Sequence, residues 1–253
     1  MENEDIKQAF VKVPEVTLVF WLIKIAATTL GETGGDAVSM SMNYGYLVGT
    51  AIFAVIFIVM VVAQIYAKRF HPVLYWTTII ATTTVGTTMA DFADRSLGIG
   101  YAGGSTVLLL LLIGSLLLWK YIMGSVSIKT VSTPRAEMFY WLTIMFSQTL
   151  GTALGDWTAD TEALGYAGSA LIFGSLLLIN AILYYRTKIS HVVLFWVAFI
   201  LTRPLGAVVG DFLDKPIASG GLDLSRYSAS FTLLAFIVIC IVVFPQRPAI
   251  ASH

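Results

Sequence analysis

A fourfold repeat of three residue types constrains this chain more than any other feature. A tryptophan is followed ten residues later by a glycine, and the glycine is followed five residues later by an aspartate. The columns are Trp21, Trp76, Trp141 and Trp196; Gly31, Gly86, Gly151 and Gly206; Asp36, Asp91, Asp156 and Asp211. Fixed spacing over four units indicates internal duplication, and the units cover about residues 14–67, 70–124, 134–186 and 190–244 of a single domain, 1–253. Each unit is predicted to be a helical hairpin, with a first helix from Trp to Asp, a polar turn, and a second helix that begins at a Gly-Tyr pair.

Composition places these hairpins in a membrane. Hydrophobic residues make up 57% of the chain and charged residues only 12%, too little polar surface for a soluble domain. Uncharged runs that can cross a roughly 30 Å hydrocarbon layer occur at 46–67, 72–90, 101–119, 138–155, 166–185 and 227–244. Two more spans, near 16–36 and 192–211, each contain one basic residue, and the repeat indicates that they also cross. We therefore predict an all-α, polytopic protein of eight transmembrane helices in four tandem parallel hairpins, with the lipid bilayer as its main partner.

The basic residues are distributed unequally between the two sides of the predicted membrane domain. The side of the chain termini holds Lys7, Lys12, Lys68, Arg69, Lys120, Lys129, Arg135, Arg186, Lys188 and Arg247. The opposite turns hold only Arg95, Lys215 and Arg226. The positive-inside rule then predicts cytoplasmic termini and outward-facing aspartates. All four units run in the same direction, so a rotation about the membrane normal relates them, as a ring or as two pairs.

The first helices of the units differ from the second helices in composition. The second helices are almost wholly aliphatic, whereas the first helices are rich in threonine. Each first helix also carries two small residues four positions apart: Gly31 and Gly35, Gly86 and Ala90, Gly151 and Gly155, Gly206 and Gly210. Small residues at this spacing allow helix backbones to approach closely in membranes. The first helices are therefore predicted to pack at the centre, with the second helices outside.

This arrangement predicts that the four repeat aspartates converge. Fifteen residues of helix span roughly 22 Å, so each aspartate lies near the outer edge of the hydrocarbon layer. Glu32 lies one turn deeper in the first unit. Gathered carboxylates repel one another unless a cation neutralises them, and an ionisable residue within the membrane is by default a functional candidate. The alternative is that the aspartates only end their hairpins in water.

Other polar residues of the first helices are secondary candidates. Asp94, Asp160 and Asp214 follow the repeat aspartates by three or four residues and are predicted to bind a cation with them, to form an acidic vestibule, or simply to end a solvated helix. The polar residues Thr83 and Gln148 belong to the same helices.

The two basic residues inside predicted spans require partners. Lys24 lies two turns before Glu32, and Arg203 lies two turns before Asp211. Each is expected to pair with a carboxylate of a neighbouring helix, as a permanent salt bridge or as a countercharge that is released when substrate or a proton arrives.

Aromatic residues cluster at the other end of each first helix. The repeat tryptophans follow Phe20, Tyr75, Tyr140 and Phe195 directly. These residues are interpreted as an aromatic belt at the membrane interface.

The four tandem two-span units resemble a family of bacterial integral membrane proteins built from a repeat of unknown function. The Trp, Gly and Asp columns and the turns NYGYLVG, IGYAGG and LGYAGS carry this resemblance from Trp21 to Phe244. The fourth unit departs from it, because SRYSAS lacks the glycine and follows a six-residue insertion. The resemblance implies the fold and a bacterial inner-membrane location, and it implies no substrate.

We predict a membrane transporter for a cation, favouring a hard metal ion such as manganese and coupling to protons through carboxylates. Its metal-binding candidates are Glu32 and the four repeat aspartates. Softer metals are disfavoured because Cys240 is the single cysteine. Motifs of the common enzyme classes are missing, so neither an enzyme nor a resident cofactor is expected, and the zero formal charge gives no indication of nucleic-acid binding. Efflux is the expected direction because no extracellular capture domain is evident, and a homo-oligomer is left open.

Two other functions are compatible with the same sequence. One is a passive cation channel with an acidic ring, against which the internal basic residues count. The other is a membrane scaffold or sensor whose carboxylates are structural.

Overall fold

A computed structural model describes residues 11–160 and 164–249. Eight long helices occupy these residues: α1 Leu18–Asp36, α2 Gly45–Tyr66, α3 Pro72–Asp91, α4 Tyr101–Met123, α5 Pro134–Asp160, α6 Gly165–Arg186, α7 His191–Asp214 and α8 Arg226–Val243. No β-strand is present in these two ranges, where the extended backbone forms only one isolated bridge, between Pro14 and Pro248. The prediction of four tandem units with two helices each is confirmed. Lys7 and the two chain ends lie outside the described residues.

The four first helices form a closed ring. Helix α1 contacts α3 and α7, and α5 contacts the same two helices, so each inner helix has two inner neighbours. Most buried residues belong to these four helices, whereas α2 buries only Gly49 and Gln64. The second helices therefore form an outer shell, as their aliphatic composition predicts.

Each outer helix packs mainly on the inner helix of the next unit. Helix α2 lies on α3, α4 on α5, α6 on α7, and α8 returns to α1. The two helices of one unit are joined by a turn but make few contacts with one another. The units consequently interlock, and the last unit closes the circle on the first.

The repeat glycines set the distance between adjacent inner helices. A Cβ atom at Gly31 would lie 2.1 Å from Oγ1 of Thr83, and one at Gly206 would lie 2.2 Å from Oγ1 of Thr28. The same relation holds at Gly86, which packs on Gln148, and at Gly151, which packs on Arg203. Each glycine thus touches the residue that lies three positions before the repeat glycine of the next unit. Any side chain at these glycines would force the ring apart.

The tryptophan end of the bundle is closed by aromatic side chains. Trp76, Trp141 and Trp196 are buried in one cluster with Tyr75 and Tyr140, whose hydroxyls are 2.6 Å apart. Their interpretation as an interfacial belt is therefore wrong for three of the four tryptophans, because the close inner ring turns these positions towards the bundle rather than the lipid. Trp21 is only partly buried.

The segments that flank the helices cover this aromatic layer. The backbone N–H of Ala249 donates to the carbonyl of Val13 at 2.8 Å, and the N–H of Glu15 donates to the carbonyl of Arg247 at 2.8 Å. Lys12 forms a 2.7 Å ion pair with the buried carboxylate of Glu137. The described residues near both chain ends therefore seal the tryptophan end.

Helix length and composition are those of a polytopic membrane protein. Among the described helices, α2, α4, α6, α7 and α8 are each long and apolar enough to cross a membrane. The other three, α1, α3 and α5, are inner helices whose polar side chains face the bundle rather than its surroundings. The apolar outer shell therefore has the composition of a surface that contacts lipid.

The glycine contacts predict a large difference between inner and outer positions. Gly206→Leu should lower the thermal midpoint in detergent because overpacking a helix contact costs about 1–3 kcal/mol. Gly114→Leu on α4 is the matched control, because a Cβ there meets nothing within 4 Å. Equal midpoints for the two variants would contradict the close approach of α7 to α1.

Candidate functional site

Equivalent residues of the four inner helices form layers across the bundle axis, and successive layers are four residues apart along each helix. The fourfold repeat brings equivalent residues of the four units to the same depth. From the tryptophan end outwards, the layers are Lys24, Ile79, Ile144 and Phe199; Thr28, Thr83, Gln148 and Arg203; Glu32, Thr87, Thr152 and Ala207; Asp36, Asp91, Asp156 and Asp211. All sixteen of these described residues are buried.

Arg203 joins all four inner helices at the middle of this axis. Its guanidinium donates to Oε2 of Glu32 at 2.9 Å and to Oγ1 of Thr87 at 2.5 Å. It also donates to Oγ1 of Thr152 and, at 3.2 Å, to the carbonyl oxygen of Thr28. The expected pairing of Arg203 with a carboxylate of a neighbouring helix is confirmed. Because several acceptors share one fully buried cation, its removal would leave many groups unsatisfied.

Lys24 does not pair with a carboxylate, so that prediction is wrong. Its Nζ has no hydrogen-bond partner and lies 4.2 Å from the centre of the Phe199 ring. The other three members of its layer are apolar, and Glu32, two layers further out, is already paired with Arg203.

Two of the secondary candidates serve packing at the glycine contacts. Thr83 donates to the carbonyl oxygens of Ile80 at 3.0 Å and Ala27 at 3.2 Å, which ties α3 to α1. Gln148 packs against Gly86, and neither atom of its fully buried carboxamide has a hydrogen-bond partner.

The four repeat aspartates gather into a ring that two basic side chains bridge in pairs. Arg95 contacts Asp91 at 2.9 Å and Asp156 at 3.4 Å. Lys215 contacts Asp36 at 2.5 Å and Asp211 at 3.0 Å. The carboxylates therefore converge instead of pointing separately into water. We call these four aspartates the carboxylate ring.

The six-residue insertion of the fourth unit holds Lys215 in place. The N–H of Asp223 donates to the carbonyl of Lys215 at 2.9 Å, and a Cβ at Gly221 would lie 2.0 Å from that same oxygen. Burial lowers the pKa of Lys215, but the Asp211 and Asp36 carboxylates outweigh burial and hold this pKa well above its ordinary value. The two carboxylates thus favour the charged form of Lys215.

The three secondary carboxylates lie around the ring and do not join it. Asp214 pairs with Arg226 at 2.8 Å, so the two neutralise one another. Asp160 is exposed and accepts a hydrogen bond from Tyr101 at 2.9 Å. Asp94 is partly buried beside Gly104, and burial raises the pKa of its carboxyl group although Arg95 opposes this.

Arg95 and Lys215 bridge the carboxylate ring, whereas the sequence alone presents them only as charges of the outer turns. Their spacing in the sequence could have indicated these ion pairs. Each follows the repeat aspartate of its own unit by four residues, in the second and the fourth unit.

Oxygen ligands for a cation are close together at this end. Carboxylate oxygens of Glu32, Asp36 and Asp211 lie within 4.8 Å of one another, and Asp91 and Asp156 share one guanidinium. Carboxylates and threonine hydroxyls at this density suit a hard cation or protons.

Comparison with known families identifies the repeat itself. A family described as Repeat of Unknown Function (DUF347) matches residues 19–70, 74–124, 139–190 and 194–245. These matches cover all eight long helices except for short pieces at their ends. No curated protein and no solved structure matches the chain.

The central ion pair predicts a strong dependence of stability on Glu32. Glu32→Gln should destabilise the protein by about 3–5 kcal/mol, because it leaves the buried Arg203 without its countercharge. Thermal unfolding in detergent measures this, and the double variant Glu32→Gln with Arg203→Met should recover part of the loss. Asp160→Asn is the control, since an exposed substitution changes stability by about 0.5 kcal/mol or less. Equal effects at Glu32 and Asp160 would contradict the pair.

Proposed function

We propose that this chain, which belongs to the DUF347 repeat family, is a membrane transporter for a hard metal cation such as manganese. The observation that carries the proposal is the carboxylate ring, in which a buried aspartate from each of four units meets the others at one end of the bundle.

The charge balance of this region favours a bound cation. The ring and Glu32 supply five carboxylates, whereas Arg95, Lys215 and Arg203 supply three positive charges. The excess is two negative charges, or one when Lys24 is protonated. Burial makes such an excess costly, so the region attracts a cation or takes up protons.

The ligand types favour a hard cation. Carboxylate and hydroxyl oxygens surround the axis at the level of the ring and one layer below it. Cys240 lies on the outer helix α8, away from these layers, and gives no support to a soft metal. Manganese, magnesium and calcium prefer oxygen ligands.

The centre of the bundle favours a carrier over an open pore. Arg203 crosses the axis with hydrogen bonds to three neighbouring helices, and the aromatic layer closes the tryptophan end. Movement of an ion past these layers requires side chains to change partners. Carboxylates that lose a metal must gain protons or basic partners, which is the basis of proton coupling in this proposal. A passive channel would need a continuous path along the same axis.

The location that fits this function is a bacterial inner membrane. The excess of basic residues at the tryptophan end supports cytoplasmic termini by the positive-inside rule. The carboxylate ring would then face outwards, and efflux would release the ion there.

Transport in proteoliposomes tests the proposal. Purified full-length protein should move Mn²⁺ into vesicles that contain a metal-sensitive dye, and the rate should fall with acidification because protons compete for the carboxylates. The double variant Asp156→Asn and Asp211→Asn should reduce the rate to that of protein-free vesicles.

Asp160→Asn is the matched control, because Asp160 lies on the same helix as Asp156 but is exposed outside the ring. Variants are compared only if they are monodisperse. Absence of flux for Mn²⁺, Mg²⁺ and Ca²⁺ by the wild type would overturn the proposal in favour of a scaffold or sensor. Flux that does not saturate with ion concentration would favour a channel.

A further inference from the structure

The two halves of the carboxylate ring differ, and we propose that the cation binds between Asp91 and Asp156, where it replaces the guanidinium of Arg95. This inference rests on the proposed function for the identity of the ligand. It assigns the ion to the interface of α3 and α5, and it makes Arg95 the side chain that must move away to admit the ion.

Arg95 is positioned to leave the ring. It lies in the short π-helical turn Phe92–Ser96 after α3, and 34% of its side chain is exposed. Its contact with Asp91 is 2.9 Å, but its contact with Asp156 is only 3.4 Å. A partly solvated guanidinium with one long contact can turn into water, and a metal ion would then supply the positive charge that the two buried carboxylates need.

The α3–α5 interface also has an unsatisfied carboxylate oxygen. Oδ1 of Asp156 has no hydrogen-bond partner although only 3% of the side chain is exposed. Oδ1 of Asp211 in the other half has no hydrogen-bond partner either, but it lies 3.0 Å from Nζ of Lys215. An unsatisfied buried polar group costs about 1–3 kcal/mol, so the unpartnered oxygen of Asp156 favours a ligand at this position.

The opposite half of the ring has its positive charge built in. Lys215 is 11% exposed, contacts both Asp36 and Asp211, and is held by the backbone of the insertion. The Arg226–Asp214 pair lies beside this half, with Nε of Arg226 3.8 Å from Asp36. Glu32 is already paired with Arg203, so the close group of Glu32, Asp36 and Asp211 has its countercharges in place.

The two bridging residues therefore have different roles. Both follow a repeat aspartate by four residues, yet only the fourth unit carries the insertion that fixes its cation. Lys215 stabilises one half of the ring permanently. Arg95 occupies the other half until a metal ion displaces it into the solvent at the aspartate end.

Matched substitutions of the two basic residues test this assignment. Isothermal titration of detergent-solubilised protein with Mn²⁺ should show about tenfold tighter binding for Arg95→Ala, since about 1.4 kcal/mol of competition is removed. Lys215→Ala should not tighten binding and should lower the thermal midpoint. Adding Asp156→Asn to Arg95→Ala should abolish the gain.

Cysteine accessibility tests the displaceable half without any metal. In a Cys240→Ser background, Asp156→Cys should react with a cationic methanethiosulfonate reagent about tenfold faster than Asp211→Cys, because about 1.4 kcal/mol less is needed to open the Arg95 side. Equal rates, or a faster reaction at Asp211→Cys, would overturn the role of Arg95.

The two experiments separate this inference from the transport proposal. If no variant binds Mn²⁺ but Asp156→Cys still reacts faster, the assigned metal site is overturned together with the transport proposal, and the mobility of Arg95 is supported. If the wild type binds Mn²⁺ and Lys215→Ala rather than Arg95→Ala tightens binding, the site assignment is overturned while the function remains.

Discussion

Close contact between the four inner helices determines where every polar group of this protein can lie. A repeat glycine on each inner helix touches the residue three positions before the repeat glycine of the next unit. The ring therefore closes with no room for a side chain at these glycines. Helix backbones that approach this closely bring the residues one turn further along onto a common axis. The layers of polar residues, and the carboxylate ring at their end, are consequences of that contact.

A buried ring of carboxylates is unstable without positive charge, and the protein supplies part of that charge itself. Arg203 holds Glu32 at the centre, and Lys215 and Arg95 bridge the aspartates in pairs. The basic side chains occupy positions in which a metal ion would also be stabilised. Lys215 is held in place and gives its half of the ring a structural role. Arg95 can move away and leaves its half of the ring to a ligand.

Much of this arrangement could be predicted from the sequence, because it follows from spacing. The repeat columns predict the eight helices, the inner and outer layers and the convergence of the aspartates, all of which the fold bears out. The packing of each outer helix on the next unit could not be predicted, because spacing within a unit does not define contacts between units.

The errors concern side chains whose surroundings depend on those contacts between units. The tryptophans resembled an interfacial belt in sequence, but the closed ring buries three of them. Lys24 is expected from the sequence to pair with a carboxylate of a neighbouring helix, whereas its Nζ has no hydrogen-bond partner and lies over the ring of Phe199. Arg95 and Lys215 were overlooked because a basic residue in an outer turn is usually solvated.

The central claim is that duplicated carboxylates of separate units together bind a hard cation. Anomalous scattering from crystals of the full-length protein grown with Mn²⁺ would locate the ion directly. The account predicts a peak at about 2.0–2.6 Å from carboxylate oxygens of Asp91 and Asp156, with Arg95 turned away. A protein that is saturated with Mn²⁺ but shows its peak outside the carboxylate ring would contradict it.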